Sequence, residues 1–411
     1  MSTQTHHKSQ SPRTNGSTSD RQLPADELLV GSDSQQPPVL SVVMPTLNEE
    51  AGITECIDRI KTAIEELQLP TEIIVSDSST DRTPEIAREM GATVVHPDQK
   101  GYGYAYRFAF EQTRGEYIVM GDADTTYDFE QIPRLLEALR DQDGDMVMGS
   151  RLDGEIKPGA MPALHQYLGN PALTAFLNLF YDAGVSDSHS GFRIFTREAY
   201  ERMDLQTDGM EFASEMIMDA GARDLEIVEV PIVYHEREGE ANLESFRDGW
   251  RHVRFMLLNA PGYLFSAPGI GLGIFGFVVM GIAYTGVSLG GITLGTHSMI
   301  AGSLLTIVGY QIFTLGLFST VGSDPIRRVD DPVTNVLEGR LTLERGALLG
   351  TGLLVGGGLY AASLVATWVG TGFAALPFTL ASLVAFTAIV LGLQTIFYAF
   401  FLSEIADARP S

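Results

Sequence analysis

Two carboxylates one residue apart, Asp122 and Asp124, follow the apolar run Tyr117–Met120 in the stretch YIVMGDADTTYD. Hard oxygen donors at that spacing suit Mg2+ or Mn2+, which sit on one or two carboxylates and fill the remaining positions with phosphate oxygens and water. The apolar run, ended by Gly121, reads as a buried strand that delivers both acids to the C-terminal edge of a sheet. Ligands of open α/β sheets bind at that edge. The pattern is short and the chain is rich in acid, so a pair of solvated loop carboxylates is the competing reading.

The surrounding elements are those that would position such a pair. Val39–Met44 is a strand closed by Pro45, and Thr46-Leu47-Asn48-Glu49-Glu50 opens an amphipathic helix to about Leu67. Thr71–Val75 is a second strand, ending in Ser76-Asp77-Ser78-Ser79. Helices over Pro84–Met90, Gly101–Thr113 and Ile132–Arg140 alternate with strands over Ala92–His96, Tyr117–Met120 and Asp145–Gly149. That alternation predicts an α/β domain with a doubly wound, mostly parallel sheet over residues 39–240. Ala160–Ala183 is a mixed loop and helix with an apolar face of Leu164, Leu168, Leu173, Phe176, Leu177 and Phe180. A polar turn, SDSHSGFR at Ser186–Arg193, leads into a strand; Gly209–Ala220 reads as helix and Leu225–Tyr234 as strand.

The chain has 411 residues and a formal net charge of −25, which argues against nucleic acid as a partner because phosphates need cations. Lysine occurs only at Lys8, Lys61, Lys100 and Lys157, and an acidic, lysine-poor surface of this kind is similar to that of halophilic proteins. The single cysteine, Cys56, excludes an internal disulfide. Residues 1–38, poor in large apolar side chains, read as a disordered tail.

The apolar residues are segregated toward the C-terminus. No Asp, Glu, Lys or Arg occurs in Gly262–Ser323 or Gly346–Ser403, and each span has room for two membrane helices and a turn. Four transmembrane helices are predicted, at about Leu264–Leu289, Ser298–Val321, Ala347–Val369 and Pro377–Leu402. Arg251, Arg254, Arg327, Arg328, Arg340, Arg345 and Arg409 flank the same ends of these hairpins, which places those flanks and the N-terminal domain on the cytoplasmic side. Leu243, Phe246, Trp250, Val253 and Leu257 recur at helical spacing opposite Arg247, Arg251 and Arg254, so residues 241–261 are read as an amphipathic helix in the membrane interface. The connector 324–345 carries Val329, Val333, Val336 and Leu337 at similar spacing and is assigned to the same interface, followed by hairpin 346–403 and a short tail, 404–411.

A site for a nucleoside diphosphate-sugar must seat the nucleoside, neutralise the diphosphate and leave the anomeric carbon open. Asp77 is placed to accept hydrogen bonds from base or ribose, although a turn-forming Asp fits the position equally well. Pro45, Leu47 and Glu49 would form the wall beside it. A cation on Asp122 and Asp124 would bridge phosphate oxygens and stabilise the departing diphosphate as a Lewis acid.

PTLNEE, IIVSDSSTD, KGYGYAYRFAF, VMGDADTTYDF, DMVMGSR and SGFR, in that order, resemble the family 2 glycosyltransferases of GT-A fold. Among these the likeness is greatest to polyprenyl- or dolichyl-phosphate hexose synthases. A narrower likeness, to membrane-anchored glucose or mannose synthase-like proteins, runs through IKPGAMPALHQYLGNP, GMEFASEMI, VEVPI and FRDGWRHVRFMLL. The resemblance covers Val39–Leu258, and the helix hairpins more loosely.

What it implies is an inverting transfer of a hexose from a UDP- or GDP-sugar to dolichyl or polyprenyl phosphate, dependent on Mg2+ or Mn2+. It matches Asp77 to the second acid of a nucleotide-binding pair whose first member is here Ser76, and Asp122 and Asp124 to the metal motif. Lys100 and Arg193 then become donor-binding candidates. Arg151 is a contact to donor or lipid phosphate, and Asp187 a residue that orients the acceptor or takes a residual proton. His189 and Glu215 stand nearby as lesser candidates. A lysine common in relatives after the VPI strand is missing, replaced by Ala241-Asn242-Leu243. Two other classes are weighed: a processive polysaccharide synthase, for which no Gln-x-x-Arg-Trp motif is found, and a transporter or flippase, which usually carries ionisable groups in mid-membrane.

Overall fold

Side chains of the central strands alternate between two cores, and that alternation builds the first domain. In the computed structural model, which describes residues 22–181, 183–238, 245–260, 262–289, 292–322, 343–374 and 379–407, β1 (Leu40–Thr46) sends Val42 and Met44 to one face and Val43 to the other. β2 (Thr71–Asp77) divides Ile73 and Val75 from Ile74, and β4 (Tyr117–Met120) divides Val119 from Ile118 and Met120. Strands buried on both faces read as near-continuous apolar runs, which is why each is legible in the sequence. With β3 (Thr93–Val95), β5 (Met146–Ile156), β6 (Arg193–Thr196) and β7 (Ile227–Tyr234) they form one seven-stranded sheet of order β3-β2-β1-β4-β6-β5-β7. β6 runs antiparallel to β4 and β5, and the remaining pairs are parallel.

One face is covered by α1 (Ala25–Leu28), α2 (Ile53–Leu67), α3 (Thr83–Glu89) and α5 (Ile132–Asp141). The other is covered by α4 (Tyr102–Phe110), α6 (Asn170–Tyr181), α7 (Arg197–Arg202), α8 (Phe212–Ala222) and α9 (Ser245–Leu258). The doubly wound, mostly parallel sheet anticipated from the sequence is therefore present.

Three details differ from the sequence reading. Residues 22–38, assigned to a disordered tail, include α1, whose Ala25 and Leu28 are buried with α2, and Leu29 bridges to Thr71 at the sheet edge. Few apolar residues were enough because Ala25, Leu28 and Val30 are buried and Leu29 is partly so. Residues 1–21 lie outside the described part, as do most of the connector 324–345 and residues 241–244. β5 continues past Gly149 to Ile156, with a register shift between Ser150 and Glu155, because β7 offers a partner strand over its full length. The apolar stripe of Ala160–Ala183 is split. Leu177 is buried and Leu173 and Phe176 are partly buried, whereas Leu164 and Leu168 are exposed. A π-helical turn, His165–Gly169, precedes α6 and shifts the phase of the stripe.

Four helices follow among the described residues: α10 (Ala267–Thr285), α11 (Thr296–Gly322), α12 (Leu343–Gly370) and α13 (Leu380–Asp407). The apolar spans Leu264–Thr285, Thr296–Val321, Leu343–Gly370 and Leu380–Ile405 are each long enough to cross a bilayer. Within each hairpin glycines bring backbones together. A Cβ on Gly276 would fall 2.6 Å from the Gly302 carbonyl oxygen, and one on Gly392 would fall 2.7 Å from that of Gly350. Small residues at helix crossings are the usual way to gain packing where lipid removes the hydrophobic drive. Hydroxyl pairs join the hairpins, Ser303 to Thr387 at 2.6 Å and Tyr310 to Thr395 at 2.8 Å.

Gly392→Leu should force α12 and α13 apart and cost about 1–3 kcal/mol, as overpacking does. Gly352→Leu, where a Cβ meets nothing within 4 Å, should leave stability nearly unchanged. Thermal unfolding of the two full-length variants in detergent measures the difference.

Candidate functional site

The sheet's topology brings seven chain segments to one edge. The C-terminal ends of the parallel strands β1, β2, β3, β4, β5 and β7 lie there, and β6, being antiparallel, contributes its N-terminal end and the turn before it. In-register pairing sets Thr46 beside Asp77, and the Thr46 hydroxyl donates to Asp77 Oδ1 at 2.8 Å. Asp77 is buried, with its second oxygen 3.7 Å from His96 Nδ1. Pro45 is half-buried, and Leu47 beyond it is 54% exposed. Asn48 adopts φ 61° and ties this loop to the next one, accepting from the Thr80 backbone N–H at 2.8 Å while its own N–H donates to Ser79 Oγ at 2.8 Å.

Beyond β4 the two motif aspartates diverge. Asp122 Oδ1 accepts from the hydroxyls of Tyr102 (2.8 Å) and Tyr106 (3.3 Å), both on α4. Its Oδ2 points at Gly191, where an added Cβ would lie 3.1 Å from it, so the turn needs glycine to approach this closely. Burial first, and the charge of Asp124 second, push the Asp122 carboxyl up to about 6. Asp124 Oδ1 is held by its own loop, accepting from the Thr126 hydroxyl at 2.5 Å and the Thr126 N–H at 3.2 Å. Asp124 Oδ2 lies 3.4 Å from Arg237 Nη1.

Arg237, in the segment after β7, is the residue the sequence reading missed. Its Nη2 donates to Glu49 Oε1 at 2.7 Å, so one guanidinium bridges the loop after β1 and the loop after β4. The Glu238 N–H donates to the Asp124 carbonyl and the His235 N–H to that of Thr126, so residues 235–238 close over the acid pair. Burial raises the Glu49 carboxyl to about 7 against the opposing charge of Arg237, and Asp124 and Asp122 add to the rise. Three carboxylates are thus gathered around one arginine. The only sequence signal for Arg237 was the missing lysine nearby, which left open which basic group replaces it.

The charged donor atoms gathered here for a cation are carboxylate oxygens, and Asp122 Oδ2 lies toward Gly191, whose missing side chain leaves it room. Among the described residues no set of three or more His, Cys, Asp or Glu side chains is arranged to hold a metal by itself. The arrangement therefore fits a hard cation such as Mg2+ or Mn2+ that rests on two carboxylates and draws its other ligands from phosphates, and it does not fit a protein-only cage.

A second centre lies at β5 and the Ser186–Ser190 turn. Asp187, fully buried, accepts from Arg151 through Nε (2.7 Å), Nη2 (2.8 Å) and the backbone N–H (3.0 Å). Burial works to raise its carboxyl, but the Arg151 guanidinium and these hydrogen bonds outweigh it and hold it below the ordinary carboxylate range. Arg151 in turn lies over the Tyr234 ring at 5.3 Å. Glu229 receives the N–H groups of Ser186 and Asp187, fixing the turn from β7.

Other candidates fall outside the cluster. Arg193 is fully buried and donates to the carbonyls of Ser188 and Ser190, and burial lowers it to about 10. Here it supports the turn and faces no open space. Lys100 is exposed in the loop before Gly101, and among the described residues no ion pair joins it to the acids. Glu215 is buried and accepts from the N–H groups of Gln206 and Thr207 at 2.9 Å each, which makes it a loop support.

Residues 41–204 match glycosyl transferase family 2, and residues 322–406 match the glycosyltransferase family 2 C-terminal transmembrane region. The chain is 58% identical over 395 residues to the low-salt glycan biosynthesis hexosyltransferase Agl6 of Haloferax volcanii, covering 96% of each chain. It is 36% identical over 215 residues to the dolichyl-phosphate hexose transferase of the same organism, covering 51% of this chain and 89% of that one. Among solved structures it is similar to glucosyl-3-phosphoglycerate synthase from Mycobacterium tuberculosis with Mn2+, UDP and glucosyl-3-phosphoglycerate, at 25% identity and a TM-score of 0.44 over 54% of this chain and 80% of that one.

Asp187→Ala would strand Arg151 as an uncompensated buried charge and should cost about 3–5 kcal/mol. Replacing both residues, Arg151→Met with Asp187→Leu, should cost less than the sum of the single changes. Denaturant unfolding of the full chain in detergent checks both statements.

Proposed function

The chain belongs to glycosyl transferase family 2, and we propose that it moves a hexose from UDP- or GDP-hexose to dolichyl or another polyprenyl phosphate at the cytoplasmic face of the cell membrane. The observation that carries this reading is that α9, which packs on the domain, leads within a few residues into an apolar span long enough to cross a bilayer. α9 buries His252 and Met256 in the domain while exposing Trp250, Arg254 and Leu258, and within a few residues the chain enters the first apolar span at Leu264. The segment leading into and through α6 exposes Leu164, Tyr167, Leu168 and Leu179. Apolar side chains, a tryptophan and arginines beside a membrane helix are the features of a surface seated among headgroups. A polyprenyl chain stays in the bilayer, so its phosphate is accessible only at that depth. The names of the relatives support the class of substrate.

In the proposed reaction an oxygen of the lipid phosphate attacks the anomeric carbon from the face opposite the leaving group. The bond from that carbon to the diphosphate oxygen breaks, its electron pair leaves with the nucleoside diphosphate, and configuration inverts. A phosphate monoester is already largely ionised near neutral pH, its second pKa being about 6, so the step needs alignment more than a strong base.

Asp122 and Asp124 would hold Mg2+ or Mn2+, which supplies charge stabilisation to the departing diphosphate when bound. Arg237 offers a second cationic group beside them. Pro45, Leu47, Glu49 and Asp77 would line the nucleoside side, while Lys100, exposed in the loop before α4, stays outside this cluster. Asp187, whose oxygens are taken up by Arg151, is assigned to orienting that arginine and not to accepting a proton. Arg151 keeps Nη1 outside the pair for a phosphate oxygen. The product, a lipid-linked hexose, would supply protein glycosylation or surface glycans.

Full-length protein in nanodiscs with dolichyl phosphate and labelled UDP-glucose or GDP-mannose should yield radiolabelled lipid that depends on added Mg2+ or Mn2+. Asp124→Asn should lower that yield by on the order of 100-fold or more, the scale of losing a principal electrostatic group. Unchanged turnover in the folded variant would refute the metal assignment.

A further inference from the structure

Two helices that face the membrane in this reading also reach the Asp187 turn from their inner sides. α6 contributes Thr174, whose Oγ1 accepts from the Ser188 N–H at 3.2 Å and lies 3.0 Å from the Ser188 hydroxyl. α9 contributes His252, whose Nδ1 lies 3.2 Å from Ser214 Oγ on α8. Between them stands His189, with Nδ1 2.9 Å from Ser188 Oγ and Nε2 3.3 Å from Ser214 Oγ. The two imidazoles meet edge to face at 4.7 Å.

The result is one continuous chain, Thr174–Ser188–His189–Ser214–His252, running through the interior from one surface helix to the other. Ser188 and Ser214 are fully buried, Thr174 and His252 nearly so. Burial, with the neighbouring His252 second, holds His189 down to about 3, so its ring is neutral. A neutral imidazole has one donor and one acceptor nitrogen, and each hydroxyl can both give and take. Every link can therefore be satisfied with the protons pointing the same way along the chain. Such a network is rigid when complete and costly when one member is removed.

The network touches Ser188 and His189, the two residues immediately after Asp187. From that juxtaposition we infer that Ser214 and His252 are positioning residues: they fix the Asp187 turn, and through it Arg151, to the helices that rest on the bilayer. Their effect falls more on the lipid acceptor than on the donor, since Asp77 and Asp124 are fixed by contacts outside the turn and Asp122, which meets the turn at Gly191, is held by the tyrosines of α4. The inference rests on the proposed acceptor role of Arg151 and on the seating of α6 and α9 at the membrane.

The test uses the full chain in nanodiscs, with dolichyl phosphate and nucleotide sugar varied separately. Ser214→Ala and His252→Phe should raise the KM for the lipid about 5- to 10-fold, the equivalent of one lost buried hydrogen bond. KM for the donor and its slow hydrolysis without acceptor should change less. His252→Asn, which restores a polar atom near the Nδ1 position, should recover most of the loss. An unchanged lipid KM overturns the inference, as does an equal loss on both substrates that His252→Asn fails to rescue, because that is what a structural role alone would produce. Hydrogen exchange at the Ser186–Gly191 amides gives a readout independent of turnover. His252→Phe should speed it, and unchanged exchange refutes the link even if no lipid product forms with the wild type. Faster exchange without any lipid product would instead keep the link and remove the proposed reaction.

Discussion

Glu49 and Asp124 pair with a single arginine whose charge Asp122 also feels, and the rest of the site is arranged around that imbalance of charge. Carboxylates drawn out of water repel one another, and two of these three are pushed well above the ordinary acid range. Such a cluster persists only if hydrogen bonds and a cation offset the repulsion. The tyrosines of α4 do so for Asp122, the Thr126 hydroxyl for Asp124, and Arg237 for Asp124 and Glu49 together. One guanidinium against three acids leaves room for a further positive charge, which suits a divalent ion arriving with a diphosphate.

The second arginine centre works in the opposite sense. Arg151 and Asp187 satisfy each other inside the domain, and Asp187 is held ionised. A saturated carboxylate is a poor base and a good brace. The same turn is braced by Glu229 from β7, by Thr174 from α6 and, through His189 and Ser214, by His252 from α9. In the proposed reaction the acceptor side would thereby be tied to the elements that lead into the apolar spans, while the donor side would hang on the central strands. Such a division would suit substrates that arrive from different phases, one from water and one from lipid.

Much of this was legible in the sequence. Strands buried on both faces appear as unbroken apolar runs, so β1, β2 and β4 and the acids after them could be placed from Val42–Met44, Ile73–Val75 and Ile118–Met120 alone. The four spans were equally plain, because a bilayer admits no charge for some twenty residues. Arg237 was not legible, since no local pattern marks a residue that crosses from the end of β7 to the loops of β1 and β4. Asp187 was found but given a wider role than its surroundings support, because sequence shows a carboxylate and not the arginine that consumes it. Leu164 and Leu168 were counted on one apolar face with Leu173 and Leu177 because the π-helical turn at His165–Gly169, which shifts the phase between them, leaves no sequence signal.

The account depends on a cation being needed to seat a nucleoside diphosphate among these acids. Titration of the full-length protein in nanodiscs with Mn2+, followed by electron paramagnetic resonance with and without UDP or GDP, measures this directly. The account predicts that one nucleotide tightens the binding of one Mn2+ per chain, and that EDTA abolishes nucleotide binding. Nucleotide that binds equally well in EDTA would contradict it.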